Sequence, residues 1–205
     1  MVELLDYMQA HRLLDKYKIR SAKSAYVKNS EEAIKFARGK PLVLKVISNK
    51  AIHKSRNGLI ALNLNTEGGI KSAYDLLAKR AKKFRPYKVL AQHMVKNGLE
   101  VIIGGSVDQQ FGKLILLGLG GIYVETFKDF AMRVCPISGY DATSMLHQLK
   151  SSKIIAPDAH MEKMIEELLH KASKMFSENS MQELDLNPII IYDNQYAAVD
   201  IRIIR

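Results

Sequence analysis

The stretch Met181-Gln-Glu-Leu-Asp185-Leu-Asn187-Pro-Ile-Ile-Ile-Tyr192-Asp193-Asn194-Gln-Tyr196-Ala-Ala-Val-Asp200-Ile-Arg-Ile203 decides the fold. Two β-rich runs flank Asp193-Asn194, a pair that tolerates the positive φ of a tight turn, so the segment reads as a closing hairpin. Along a strand, residues i and i+2 share a face. Asp185 and Asn187 therefore point the same way, and a hairpin can bring Asp200 across from them. Carboxylate and amide oxygens with retained waters are how proteins hold Mg²⁺ beside substrate phosphates. The plain alternative is the polar face of an edge hairpin.

Upstream of this hairpin the chain alternates helical and strand patterns. Leu4, Leu5, Met8, Leu13, Leu14 and Tyr17 share one helical face and predict a helix over 3–17. Ser30, Glu31 and Glu32 open a second helix that stops near Gly39, ahead of Pro41. Leu42–Ile47 and Leu59–Leu64 read as strands, and 67–83 as a helix. Val89–Val95, Leu99–Val107, Lys113–Leu117 and Ile122–Val134 read as successive strands, followed by helices over 141–150 and 160–176. The order is mixed α+β, with a lobe boundary near residues 86–90, where Pro86 falls.

At 205 residues, with 47% apolar and 25% charged residues, the composition is that of an ordinary globular chain rather than a disordered one. A single cysteine, Cys135, excludes an internal disulfide framework and a Cys-built zinc site; it is expected to be a buried thiol. The start lacks a signal-peptide pattern, and the longest apolar stretch, 114–124, is too short to span a bilayer, so the expectation is a cytoplasmic protein without a membrane partner. The net charge of +10 suits phosphates or an acidic partner as well as nucleic acid. Without Trp or a groove-reading motif, no nucleic-acid partner is expected.

Lys45 interrupts an apolar strand, where an ammonium is costly unless it reaches water or a negative partner. It is either an outward-facing residue on a half-exposed strand or a phosphate-binding lysine. Ile52-His53-Lys54-Ser55-Arg56-Asn57-Gly58 joins two strands with an imidazole, cations, a hydroxyl and a glycine. Imidazole can act as nucleophile or base, cations stabilise an incoming phosphoryl group, and backbone N–H groups near a glycine cradle phosphate. The alternative is a solvent-exposed loop. Seven glycines between Gly98 and Gly121 mark turns or close backbone approach, without a Walker or dinucleotide fingerprint. His11, His147, His160 and His170 read as surface or packing residues; His93, inside a strand, stays open.

In order, these segments resemble one family. They are Pro41-Leu-Val-Leu-Lys45-Val-Ile, Ile52-His-Lys-Ser55, Glu100-Val-Ile-Ile-Gly104, Asp108-Gln-Gln-Phe-Gly112 and Gly118-Leu-Gly-Gly-Ile-Tyr-Val-Glu125. Asp129 with Arg133 and Pro136, Glu183-Leu-Asp185-Leu-Asn187-Pro188, and Ala198-Val-Asp200-Ile-Arg202 complete the set. The chain resembles the ATP-grasp (β) subunit of NDP-forming acyl-CoA synthetases, typified by ADP-forming acetyl-CoA synthetase, from about Leu13 to Arg202. The resemblance implies a single ATP-grasp domain over 1–205. Its smaller lobe covers about 20–88; its larger lobe covers about 89–205 with the N-terminal helix; the nucleotide cleft lies between them. It implies an acid–CoA ligase activity in which acyl-CoA, phosphate and ADP give acid, CoA and ATP, with a CoA-binding α subunit as partner. By the same resemblance, His53 relays the phosphoryl group, Lys45 contacts nucleotide phosphates with Ser55 and Gly58 nearby, and Glu100 lies by the nucleotide's sugar. Asn187 and Asp200 hold Mg²⁺ with Asp185 beside them.

After His-Lys-Ser this chain departs from the family pattern of an Asp, a small residue, Gly-Gly and Val: it reads Arg56-Asn57-Gly58-Leu59-Ile60. That departure motivates an alternative, a non-catalytic or regulatory ATP-grasp subunit that binds nucleotide without relay.

Overall fold

The computed structural model describes residues 3–50, 58–121 and 129–205. They form two compact units, Ala22–Val95 and Met1–Ser21 with Lys96–Arg205.

The first unit is a four-stranded antiparallel sheet covered on one face by two helices. Its strands are β1 (Ser24–Val27), β2 (Leu42–Ile47), β3 (Ile60–Leu64) and β4 (Lys88–His93), in the order β1-β4-β2-β3. Helix α2 (Ser30–Ala37; α1 belongs to the second unit) starts where Asn29 accepts the Glu32 N–H at 2.8 Å, with Glu31 and Glu32 at the positive end of its dipole. It ends through left-handed residues, Arg38 at φ 49° and Gly39 at φ 75°. Thr66 caps α3 (Glu67–Ala81) through the Gly69 N–H at 3.1 Å. Leu42, Leu44 and Val46 of β2 and Val89 and Ala91 of β4 pack with Ala33, Ala37, Ile70 and Leu77 of the helices. Because side chains alternate, Val43 and Lys45 lie on the other face of the sheet.

The expected lobe boundary near residue 88 falls inside this sheet. β4 pairs with both β1 and β2, so the division comes after Val95. Pro86 marks only the approach to β4, not a passage between units.

The second unit is built on a six-stranded antiparallel sheet, order β10-β8-β5-β6-β7, with β9 also pairing β8. The strands are β5 (Leu99–Asp108), β6 (Gly112–Leu119), β7 (Phe130–Val134), β8 (Glu183–Tyr192), β9 (Gln195–Ala198) and β10 (Ile201–Ile204). The helices are α1 (Tyr7–Lys16), α4 (Gly139–Gln148), the short α5 (Ser152–Ile155) and α6 (Ala159–Glu178). The first helix starts at Tyr7 rather than residue 3. Asp6 caps it with Gln9 in a capping box, while Glu3 and Leu5 donate backbone hydrogen bonds to Arg205 and Ile203 and so extend the sheet edge.

Helix α6 is the main cover of the sheet: Ile165, Leu168, Leu169, Ala172, Met175 and Phe176 are fully buried along one stripe. Phe176 lies over Gly105 of β5, where a Cβ would stand 3.2 Å from its ring. The last turn of α6 lacks basic residues. Lys113 of β6 takes that role, its ammonium donating to the carbonyls of Phe176, Ser177 and Asn179 at 2.7, 3.1 and 2.6 Å. Lys113→Met removes a charged donor from three helix-end carbonyls and is expected to cost about 1–3 kcal/mol. A urea unfolding midpoint equal to that of the unsubstituted chain would contradict it.

Candidate functional site

The closing hairpin sets the geometry. Asp193 and Asn194 both have positive φ, 45° and 56°, as a two-residue type I′ turn requires. From that turn the register runs Tyr192↔Gln195 to Ile189↔Ala198, then Leu186↔Ile201 to Glu183↔Ile204. The same count carries through the gap, so Asn187 stands across from Asp200, and Asp185 across from Arg202. The expected second strand is therefore two strands, β9 and β10, with Val199 and Asp200 between them.

The gap has a physical cause. Against β5 the register is Val101↔Ile189 but Ile103↔Leu186, so Asn187 and Pro188 together oppose Ile102 alone: a β-bulge. It switches the burial phase of β8. Leu184 and Leu186 are buried before it, and Ile189 and Ile191 after it. Asp185 and Asn187 are left on the open face of the sheet, away from α6. Val101 and Ile103 of β5 are fully buried, so Glu100 and Ile102 also point to the open face. Glu100, Asn187 and Asp200 thus share one side of the second unit.

Glu100 is enclosed by backbone. Its carbonyl accepts the Gly120 N–H at 2.7 Å, and a Cβ on Gly120 would lie 2.9 Å from Glu100 backbone atoms. A Cβ on Gly121, at φ 74°, would lie 3.4 Å from the Glu100 carboxylate. These two glycines allow the close approach that their density in the sequence suggested. Beside them opens a cavity of about 680 Å³, lined by Gly98, Glu100, Gly120, Gly121, Asp129, Lys150, Ser151 and Ile154 among others. Its size suits a small-molecule ligand. Lys150 and Ser151 had no local signal, because Asp129 brings them in from 21 and 22 positions away: its carboxylate accepts their backbone N–H groups at 2.9 and 2.8 Å. Arg133 ties the adjoining β7 to α4 through Ser144 and Gln148.

In the first unit, Lys45 is 6% exposed, not half-exposed. It pairs in register with Ile60 and Leu90, on the sheet face away from α2 and α3. Gly58 stands at φ 59° just before β3. His53 and Ser55 lie outside the described residues. His93, left open by the sequence, stacks on Phe36 with ring centroids 4.8 Å apart and bonds its carbonyl through Nε2 at 3.1 Å, a packing role. Cys135, expected to be buried, is half-buried; burial raises its pKa against the lowering effect of nearby Ser173 and Ser177, which keeps it a poor nucleophile.

Among the described residues no set of three or more His, Cys, Asp or Glu side chains converges on a point. A carboxylate–amide pair still fits one hard cation, since Mg²⁺ keeps several waters and needs only one or two protein carboxylates beside phosphates.

Comparison with known proteins agrees with this architecture. An ATP-grasp domain model matches residues 2–204. The β subunit of acetate–CoA ligase [ADP-forming] I of Pyrococcus furiosus is 34% identical, over 96% of this chain and 89% of that one. The 4-hydroxybutyrate–CoA ligase [ADP-forming] of Nitrosopumilus maritimus is 34% identical over 90% of this chain, which spans 28% of that longer protein. A dinucleotide-forming acetyl-coenzyme A synthetase 1 of Ca. Korarchaeum cryptofilum was solved with coenzyme A and Mg-AMPPCP, its phosphohistidine segment pointing towards the nucleotide binding site. It superimposes with a TM-score of 0.83 at 34% identity, covering 98% of this chain and 92% of that one.

Burial raises the Asp129 pKa, but the hydrogen bonds from Ser151 and Lys150 outweigh it and hold the group below the usual carboxylate range. A carboxylate with a depressed folded pKa contributes stability above its unfolded value, lost as pH falls below about 4. Asp129→Asn should therefore show a shallower loss of stability with acidification, measured by thermal melts from pH 6 to 3. An unchanged slope would contradict it.

Proposed function

The chain belongs to the ATP-grasp family, alongside the β subunits of ADP-forming acetate–CoA ligases, and from that premise we propose that it is the nucleotide-binding subunit of an ADP-forming acyl-CoA synthetase. The observation that carries this reading is the near end-to-end match to those β subunits, with Asn187 and Asp200 in cross-strand register on the sheet face that also bears Glu100. The partner is a CoA-binding α subunit, the nucleotide is ADP or ATP, and the setting is the cytoplasm.

In this reading the Lys45 ammonium neutralises nucleotide phosphate charge, with the hydroxyl of Ser55 and the backbone at Gly58 close by. The Glu100 carboxylate accepts hydrogen bonds from the nucleotide's sugar. The Asn187 amide oxygen and the Asp200 carboxylate hold Mg²⁺, with Asp185 beside them. When bound, Mg²⁺ neutralises charge on the phosphate oxygens. A neutral His53 nitrogen attacks the phosphorus of a phosphohistidine on the partner; the N–P bond there breaks as the new one forms. A terminal oxygen of ADP then attacks the same phosphorus, the His53 N–P bond breaks, and ATP leaves. Two transfers replace one across a distance that a single step does not span. The acyl group is not recognised by this subunit in this reading; its pocket belongs to the partner.

A second reading is a regulatory subunit that binds nucleotide without relay. Leu59 stands where the family pattern has glycine and is fully buried, which makes the chain after Gly58 stiffer than two glycines would. The two readings separate in one experiment: the chain with its partner is supplied with acetyl-CoA, ADP, phosphate and Mg²⁺, and ATP formation is followed. The relay reading expects acid-labile, base-stable phosphate on this chain, and at least a thousandfold loss of rate in His53→Ala, in the range seen when a covalent nucleophile is removed. Turnover surviving in His53→Ala would refute the relay. Nucleotide binding with no chain-bound phosphate would favour the regulatory reading.

A further inference from the structure

Gly58, Leu59 and Ile60 are each held by a specific contact. Ile60 pairs in register with Lys45. One residue earlier, Leu59 is fully buried and its carbonyl accepts the Val46 N–H at 2.9 Å. One residue earlier again, the carbonyl of Gly58 accepts a hydrogen bond from Arg80 Nη1 of α3 at 2.9 Å. The guanidinium lies against the α-carbon of this glycine: a Cβ there would stand 2.5 Å from Nη1 and 3.2 Å from Cζ. Gly58 also needs its positive φ of 59°, which a side chain disfavours. Leu59 and Ile60 thus tie the chain to the strand that bears Lys45, and Gly58 ties it to α3. The last tie is not backbone–backbone but a side chain from a neighbouring helix.

Arg80 is exposed and its bond to Gly58 faces solvent. Such a contact adds little to the stability of the fold. A planar guanidinium on a single carbonyl nevertheless fixes the direction of a peptide more sharply than a mobile ammonium does.

We propose that Arg80 is a positioning residue: by holding the Gly58 carbonyl it sets where the chain that carries His53 leaves the strand pair of Lys45. This rests on the relay reading above. Arg80 touches neither phosphate nor nucleotide in this assignment. Its loss lowers the rate of transfer far more than it weakens nucleotide binding, since the contacts assigned to Lys45 and Glu100 stay in place.

The test uses the complete complex with its CoA-binding partner, with acetyl-CoA, ADP, phosphate and Mg²⁺, comparing Arg80→Ala, Arg80→Lys, Gly58→Ala, the Arg80→Ala/Gly58→Ala double variant and His53→Ala. Arg80→Ala is expected to lower kcat about tenfold to a hundredfold, the scale set by misplacing a reacting group by about an ångström. The KM for ADP stays within about twofold and the melting temperature is unchanged. Arg80→Lys restores part of the rate, since an ammonium can reach the same carbonyl. Gly58→Ala lowers kcat as well, and the double variant loses little beyond the worse single one, because both remove one contact. Three outcomes overturn the assignment: wild-type kcat in Arg80→Ala, a loss confined to the KM for ADP, or a lowered melting temperature that accounts for the lost rate. If His53→Ala itself turns over at the wild-type rate, the relay reading fails and the role of Arg80 falls with it. An inactive His53→Ala with an unaffected Arg80→Ala overturns only the latter.

Discussion

Asn187 and Asp200 face each other because a two-residue turn at Asp193-Asn194 fixes the pairing of β8 with the strands that follow. Shifting that register by one residue would turn the polar set toward the core and the apolar set toward water. The bulge at Asn187-Pro188 adds a second constraint. It lets β8 bury Leu184 and Leu186 on one side of the break and Ile189 and Ile191 on the other. The polar residues thus gather where the ladder is interrupted, at the point of β8 where backbone groups are least committed to neighbours. The site does not interrupt an otherwise regular sheet by accident of composition; the interruption is what presents the oxygens.

Each unit carries groups of a kind that binds phosphate or a hard cation. The first unit offers an ammonium on a strand whose other residues, apart from the half-buried Ile47, are all buried. Keeping a charge on a strand of buried residues costs free energy unless hydrogen bonds or an opposite charge offset it. The second unit offers carboxylate and amide oxygens on one sheet face, with two glycines drawn against Glu100. Phosphoryl transfer needs little covalent chemistry from a protein beyond positioning and charge neutralisation, and these groups are of the types it uses.

Much of the fold was legible because its signals are local. The run 42–47 became β2 at those residues, and Asp193-Asn194 became the turn, since backbone preference and hydrophobic pattern point the same way there. The N-terminal helix read too long because an apolar face continues through Leu4 and Leu5, while the Asp6 cap and pairing with residues 203–205 take those residues into the sheet. The boundary near Pro86 misled for a related reason: a proline marks an interruption of local structure, not which sheet the next strand joins. At the site, the shared face of Asp185 and Asn187, with Asp200 across from Asn187, was readable from period-two alternation and a hairpin. The enclosure of Glu100 by Gly120, and the cavity walls from Lys150 and Ser151, depend on contacts between distant segments and leave no local pattern.

The most direct measurement is a crystal structure of the chain with Mg²⁺ and a non-hydrolysable ATP analogue. The account predicts polyphosphate density within hydrogen-bonding reach of the Lys45 ammonium, with the metal bound by Asn187 and Asp200 and the sugar by Glu100. A nucleotide bound elsewhere, or one whose phosphates meet Lys45 but leave Asn187 and Asp200 without metal, would contradict it.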